Sequence, residues 1–64
     1  MWTEIQGSDA VAAVDYQAGV LTIRTNNGKE YPYVGVLEDA YKSFMAASSK
    51  GRAWAQIRAN YKQG

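Results

Sequence analysis

Midway along this chain of 64 residues the larger apolar side chains change their spacing, and that change limits the folds open to it. Before Gly35-Val36 they alternate as on strands; after it they recur at helical intervals. The stretch Glu30-Tyr31-Pro32-Tyr33-Val34-Gly35-Val36 lies at the junction and reads as the last strand of a small sheet. Its two tyrosines stand two apart, so on an extended backbone both project from one face.

The clearest strand is Val20-Leu21-Thr22-Ile23-Arg24-Thr25, with Leu21 and Ile23 on one face. Asn26-Asn27-Gly28 follows as a hairpin signal, because Asn-Gly accepts the positive φ angles of a tight primed turn. The third strand then runs from about Lys29 to Val36, with Pro32 marking an edge or a nitrogen turned outward. Upstream, Ala10 to Tyr16 is helical on alanine content but better read as a strand. The turn Asp15-Tyr16-Gln17-Ala18-Gly19 follows it, and β-branched residues resume at once. The uneven spacing of Val11, Val14 and Tyr16 predicts a bulge near Ala12-Ala13. Residues 1–9 read as a lead-in, with a loop at Gly7-Ser8.

Beyond the junction, Leu37, Tyr41, Phe44 and Met45 mark one face of a helix over about 37–47, with Glu38 and Asp39 at its positive end. Ser49 is placed to cap a second helix, on which Ala53, Trp54, Ile57 and Tyr61 form the apolar stripe. The expected fold is therefore α+β. It is one domain over 1–64, in which a three-stranded antiparallel meander (10–36) precedes two helices (37–62) packed on one face.

So short a chain buries a thin core, and it lacks the cysteine and histidine from which disulfides and the usual zinc sites are made. No apolar run reaches the ~20 residues of a membrane span. Met1-Trp2-Thr3-Glu4 lacks the regions of a signal peptide, so a cytoplasmic protein without membrane contact is expected. No cofactor or metal is implied. Catalysis is not expected either. Ser48, Ser49 and Lys50 are neighbours at a helix start, where capping explains both serines. Glu38-Asp39 is better read as a first-turn dipole partner than as an acid/base couple.

Charge is unevenly placed. Residues 1–49 carry Arg24, Lys29 and Lys42 against six carboxylates, whereas residues 50–64 carry Lys50, Arg52, Arg58 and Lys62 and no acid. That split suits an anionic partner, or equally the ordinary preference of cations for the later part of a helix. Ser49-Lys50-Gly51-Arg52 is the sharpest candidate, because a capped helix start with free N–H groups beside two cations can hold a phosphate. Gly51 either admits a ligand or permits close packing on the sheet. Tyr31 and Tyr33 suit base stacking if their face is open. If they share the helix-covered face with Leu21 and Ile23 they are core, the commoner role of aromatic strand residues, and Trp54 is read likewise.

The hairpin, Tyr31-Pro32-Tyr33, Gly35-Val36, and Ser49-Lys50-Gly51-Arg52 before a helix bearing Ile57, Arg58 and Tyr61 resemble the KTSC domain across residues 8–61. That family is a short module, stand-alone in bacteria and phages and fused to the C-terminus of some lysyl-tRNA synthetases. Tyr31, Tyr33, Gly51, Arg52 and Arg58 are the positions that match its pattern. The chain departs from the pattern at Ala53 and Ala55, where the family commonly has an aromatic residue and an asparagine, and at Leu37, where it has a proline. The resemblance carries no established activity; RNA binding is the role proposed for the family. Two functions are thus expected as alternatives. One is a non-enzymatic module binding RNA or tRNA through the basic last helix. The other is a protein-interaction or self-associating module, including a phage-type inhibitor or a protein that sequesters a ligand.

Overall fold

A computed structural model describes residues 1–64. The sheet has four strands rather than the expected three: β1 (Trp2–Glu4), β2 (Val11–Gln17), β3 (Val20–Thr25) and β4 (Glu30–Tyr33). All neighbours are antiparallel, in the order β1-β2-β3-β4. Part of the supposed lead-in is therefore a strand, with Thr3 opposite Val14. The helices are α1 (Glu38–Ala46) and α2 (Lys50–Asn60), and the α+β class stands.

Register explains the core. Tyr16 lies opposite Leu21, Val14 opposite Ile23, Leu21 opposite Tyr33 and Ile23 opposite Tyr31, so these six side chains share one face. The register shifts between Val11 and Ala13, at the predicted bulge. This extra residue carries Val11 to the same covered face as Val14, and both are fully buried. Phe44 of α1, Ile57 of α2 and Val36 from the connection complete the buried cluster. Each such side chain contributes about 1.5–3 kcal/mol on burial.

Two aromatic contacts fasten the helices. Tyr41 of α1 stacks on Tyr16 of β2, with ring centroids 4.5 Å apart and planes within 9°. The Tyr16 hydroxyl donates to the Val36 carbonyl at 2.7 Å. Trp54 of α2 donates from Nε1 to the Tyr33 hydroxyl at 2.9 Å.

Several local expectations are corrected. The last strand stops at Tyr33 rather than Val36, because Gly35 takes φ +69° and turns the chain so that Val36 enters the core. The Val36 amide then donates to the Gly19 carbonyl at 2.9 Å. Leu37 is not on the buried stripe. It is the N-cap of α1, makes no side-chain cap and is 70% exposed, whereas Phe44 carries the burial. The turn between β2 and β3 is only Ala18-Gly19, both at positive φ, rather than the five residues expected. At Asn26-Asn27-Gly28 only Gly28 has positive φ, so the turn is not primed; Gly28 donates to Thr25 at 3.0 Å and closes it.

The C-terminal end is extended, not helical. α2 stops at Asn60, and Gln63 forms an antiparallel bridge with Tyr33. Val34 donates to Lys62 at 2.9 Å and Gly64 donates to Pro32 at 3.0 Å. This pattern turns the Pro32 nitrogen towards the outer edge, where no bond to β3 is lost. No helix is long and apolar enough to cross a membrane.

Two substitutions test the turn and cap assignments. Ala18 sits at φ +52°, a left-handed position that a Cβ disfavours and asparagine tolerates. Ala18→Asn should stabilise by about 0.5–1 kcal/mol, raising Tm by about 4 °C in a domain this small. Leu37 has the extended backbone of an N-cap but no oxygen to offer, so Leu37→Ser should add about 1 kcal/mol in urea denaturation. No gain in either variant would contradict the local geometry described.

Candidate functional site

The residues singled out by sequence fall into separate places. Tyr33 is core: it is 1% exposed and its hydroxyl accepts from Trp54. Tyr31, opposite Ile23 on the same face, lies at the rim and is half-buried. Trp54 is also half-buried, with its ring 5.6 Å from that of Tyr31 at a tilt of 38°. The guanidinium of Arg58 lies over the Trp54 ring, 5.1 Å from its centroid, one helical turn along α2. Tyr31, Trp54 and Arg58 thus form a composite of two aromatic rings and one cation.

The start of α2 is a different environment. The Ser49 hydroxyl accepts from the Arg52 amide at 3.3 Å, which is the N-cap bond expected of it. Lys50 curls back to donate its ammonium to the Ala47 carbonyl at 2.5 Å, satisfying a carbonyl at the end of α1. Gly51 faces Ala10: a Cβ built on it would stand 3.7 Å from the Ala10 Cβ, ordinary contact rather than a clash. Gly51 therefore brings α2 close to the segment before β2 without being sterically compelled.

The four cations do not line one track. At 3.6 residues per turn Arg52 and Arg58 are roughly 120° apart around α2, so Arg52 points away from the Trp54 side. Lys62 lies beyond the helix, in the extended tail opposite Val34. Strand alternation turns its side chain towards the helix-free side of the sheet.

Two hollows border this region. A polar one, of about 320 Å³, is lined by Gln6, Gly7, Ser8 and Asp9 on one side and by Ser48, Ser49, Lys50 and Gly51 on the other. The second, of about 370 Å³, lies between Tyr31 and Trp54, the Thr25-Asn26-Asn27 turn, and Asp9-Ala10. Asp9 and Ala10 belong to both. Asp9, Asn26 and Asn27 were not foreseen as site residues. In sequence the asparagines signal only a turn, and Asp9 only the end of a loop; their convergence follows from the sheet register. The Asn26 side chain ties the two segments, donating from Nδ2 to the Ser8 carbonyl at 3.2 Å.

The architecture is that of a small α+β domain, an antiparallel meander with two helices on one face and its candidate surface where the last helix meets the sheet. The chain belongs to the KTSC domain family, whose model matches residues 7–61. No curated protein matches the sequence. The matched span contains β2 to α2 and every hollow-lining residue except Gln6; β1 and the Lys62–Gly64 tail lie outside it.

Two variants separate structural from surface roles here. Ser49→Ala should cost about 1 kcal/mol by removing the cap. Tyr33→Phe should cost about 0.5–1.5 kcal/mol by removing the acceptor of Trp54 Nε1. Both are read from the urea midpoint at unchanged m-value, and an unchanged midpoint would remove the assigned role.

Proposed function

We propose that this domain is a non-enzymatic binding module for single-stranded RNA, including the exposed single strands of a tRNA. The observation that carries the reading is the grouping of Tyr31, Trp54 and Arg58 at the open margin between sheet and last helix. Aromatic faces accept bases of any sequence, and a guanidinium beside them meets either a base plane or a phosphate. Lys50, at the start of α2, lies in the same acid-free stretch and adds positive potential near this margin, while Arg52 faces another side of the helix. Single-stranded nucleic acid fits better than duplex, because a stacking surface requires bases that are already splayed out.

The expected signature is strong salt dependence. With two phosphate contacts on a single strand, from Arg58 and Lys50, log K should fall with log salt at a slope of about −1.4. Replacing Arg58 or Lys50 with glutamine should each lower the magnitude of the slope by about 0.7. Fluorescence anisotropy with labelled single-stranded RNA and tRNA at several salt concentrations makes the measurement. Salt-independent binding, or none at micromolar protein, would discard the proposal.

A second reading rests on the other side of the sheet. No helix covers that face, and Trp2 and Val34 remain 38% and 41% exposed there. Such a surface suits a protein partner or a second copy of the chain. Sedimentation would then show an oligomer that Trp2→Ser weakens and that Lys50→Ala with Arg52→Ala leaves intact; a monomer at all concentrations rules out the second-copy form.

A further inference from the structure

Resting on the single-strand reading, the geometry points to a guanine-selective pocket in the hollow between Tyr31, Trp54, Asp9 and the Asn26-Asn27 turn. Selectivity follows from which polar atoms are already used. Asn26 spends its Nδ2 on the Ser8 carbonyl, so its side-chain oxygen is the atom left over. Asn27 spends its Oδ1 on the Thr25 hydroxyl and, at 3.4 Å, on the Lys29 amide, so its NH₂ remains as a donor. Asp9 takes part in none of the ion pairs, which join Met1 to Asp15, Arg24 to Glu30 and Lys42 to Glu38. Its carboxylate is an acceptor only, with two oxygens.

A planar ligand against the Tyr31–Trp54 wall therefore meets a paired acceptor, a single acceptor and a donor. Guanine is the base whose pairing edge presents two adjacent donors, the ring N1–H and the exocyclic N2 amino group, next to a carbonyl that accepts. The two donors match Asp9, and the carbonyl matches the Asn27 amide. Adenine and cytosine place a ring nitrogen lone pair where guanine has N1–H, and uracil has one N–H between two carbonyls. Each would set a lone pair against the Asp9 carboxylate, the repulsive element that discrimination requires. At about 370 Å³ the hollow falls at the small end of ligand-pocket sizes, as a single base requires.

The test is titration of the full chain with GMP, AMP, CMP and UMP, followed by ¹H–¹⁵N spectra. GMP should shift the Asn26, Asn27 and Trp54 side-chain signals saturably and bind about tenfold more tightly than the others. Asp9→Asn should abolish that preference while leaving the free spectrum otherwise unchanged, since Asp9 is exposed and joins no ion pair. Asn27→Ala serves as the second variant and should weaken GMP selectively. Equal binding of all four nucleotides, GMP shifts confined to other residues, or preference retained in Asp9→Asn would overturn the pocket. So would saturable binding there of N-acetyl-arginine amide in preference to GMP, which would assign the paired acceptor to a guanidinium of a protein partner. Salt-sensitive binding of oligonucleotides without base preference would overturn the guanine pocket and leave the single-strand reading standing. Loss of all oligonucleotide binding would overturn both.

Discussion

Tyr33 is the residue on which the rest of the structure turns. It lies opposite Leu21 in the sheet, bridges Gln63 of the tail, and accepts from Trp54 of α2 through its hydroxyl. Three elements remote in sequence are thereby fixed to one position. A core this small has little redundancy, so a single buried aromatic with a polar end is used both as filler and as a hydrogen-bonding anchor. Because Tyr33 is held inside, Tyr31, two residues earlier on the same face, is placed at the rim. Because Trp54 is held by Tyr33, its ring faces Tyr31. The candidate site is thus a by-product of the anchor rather than a separate construction.

The parts of the fold legible in sequence were those set by local chemistry. Alternation in Val20–Thr25, the irregular spacing at Ala12-Ala13 and the cap at Ser49 each have a cause within a few residues, and each is where it was read. β1 was not legible: Trp2–Glu4 is too short to show alternation, and all three residues are exposed. It is a strand because β2 offers it an edge. The tail is extended for the same reason, with β4 supplying the partner groups. Leu37 misled because helical spacing says which residues share a face and not where the helix begins; the turn at Gly35 sets that point and leaves Leu37 in water.

The candidate site was legible only in its residue types. Aromatic and basic residues were visible, but their grouping depends on register and on how α2 docks. Docking divided the predicted set: it joined Tyr31, Trp54 and Arg58, buried Tyr33, and sent Arg52 and Lys62 to other sides. It also introduced Asp9 beside the α2 start. A carboxylate there makes the place a poor general anion site and a better one for a ligand with N–H donors. The electrostatics thus shift the emphasis from phosphate holding at the helix start to base contact beside it.

The strand order has a kinetic consequence. Each strand pairs with its neighbour in sequence, and the two helices follow one another, so the sheet can be assembled by closing one short loop after another. Each closure costs little chain entropy, which places the domain towards the fast end of folding rates for its class. The links of Trp54 and Gln63 to Tyr33 and of Tyr41 to Tyr16 span longer stretches of chain and cost more to close. The wall of the proposed pocket, where Trp54 meets Tyr31, is thus closed by contacts of greater sequence separation than those that pair the strands.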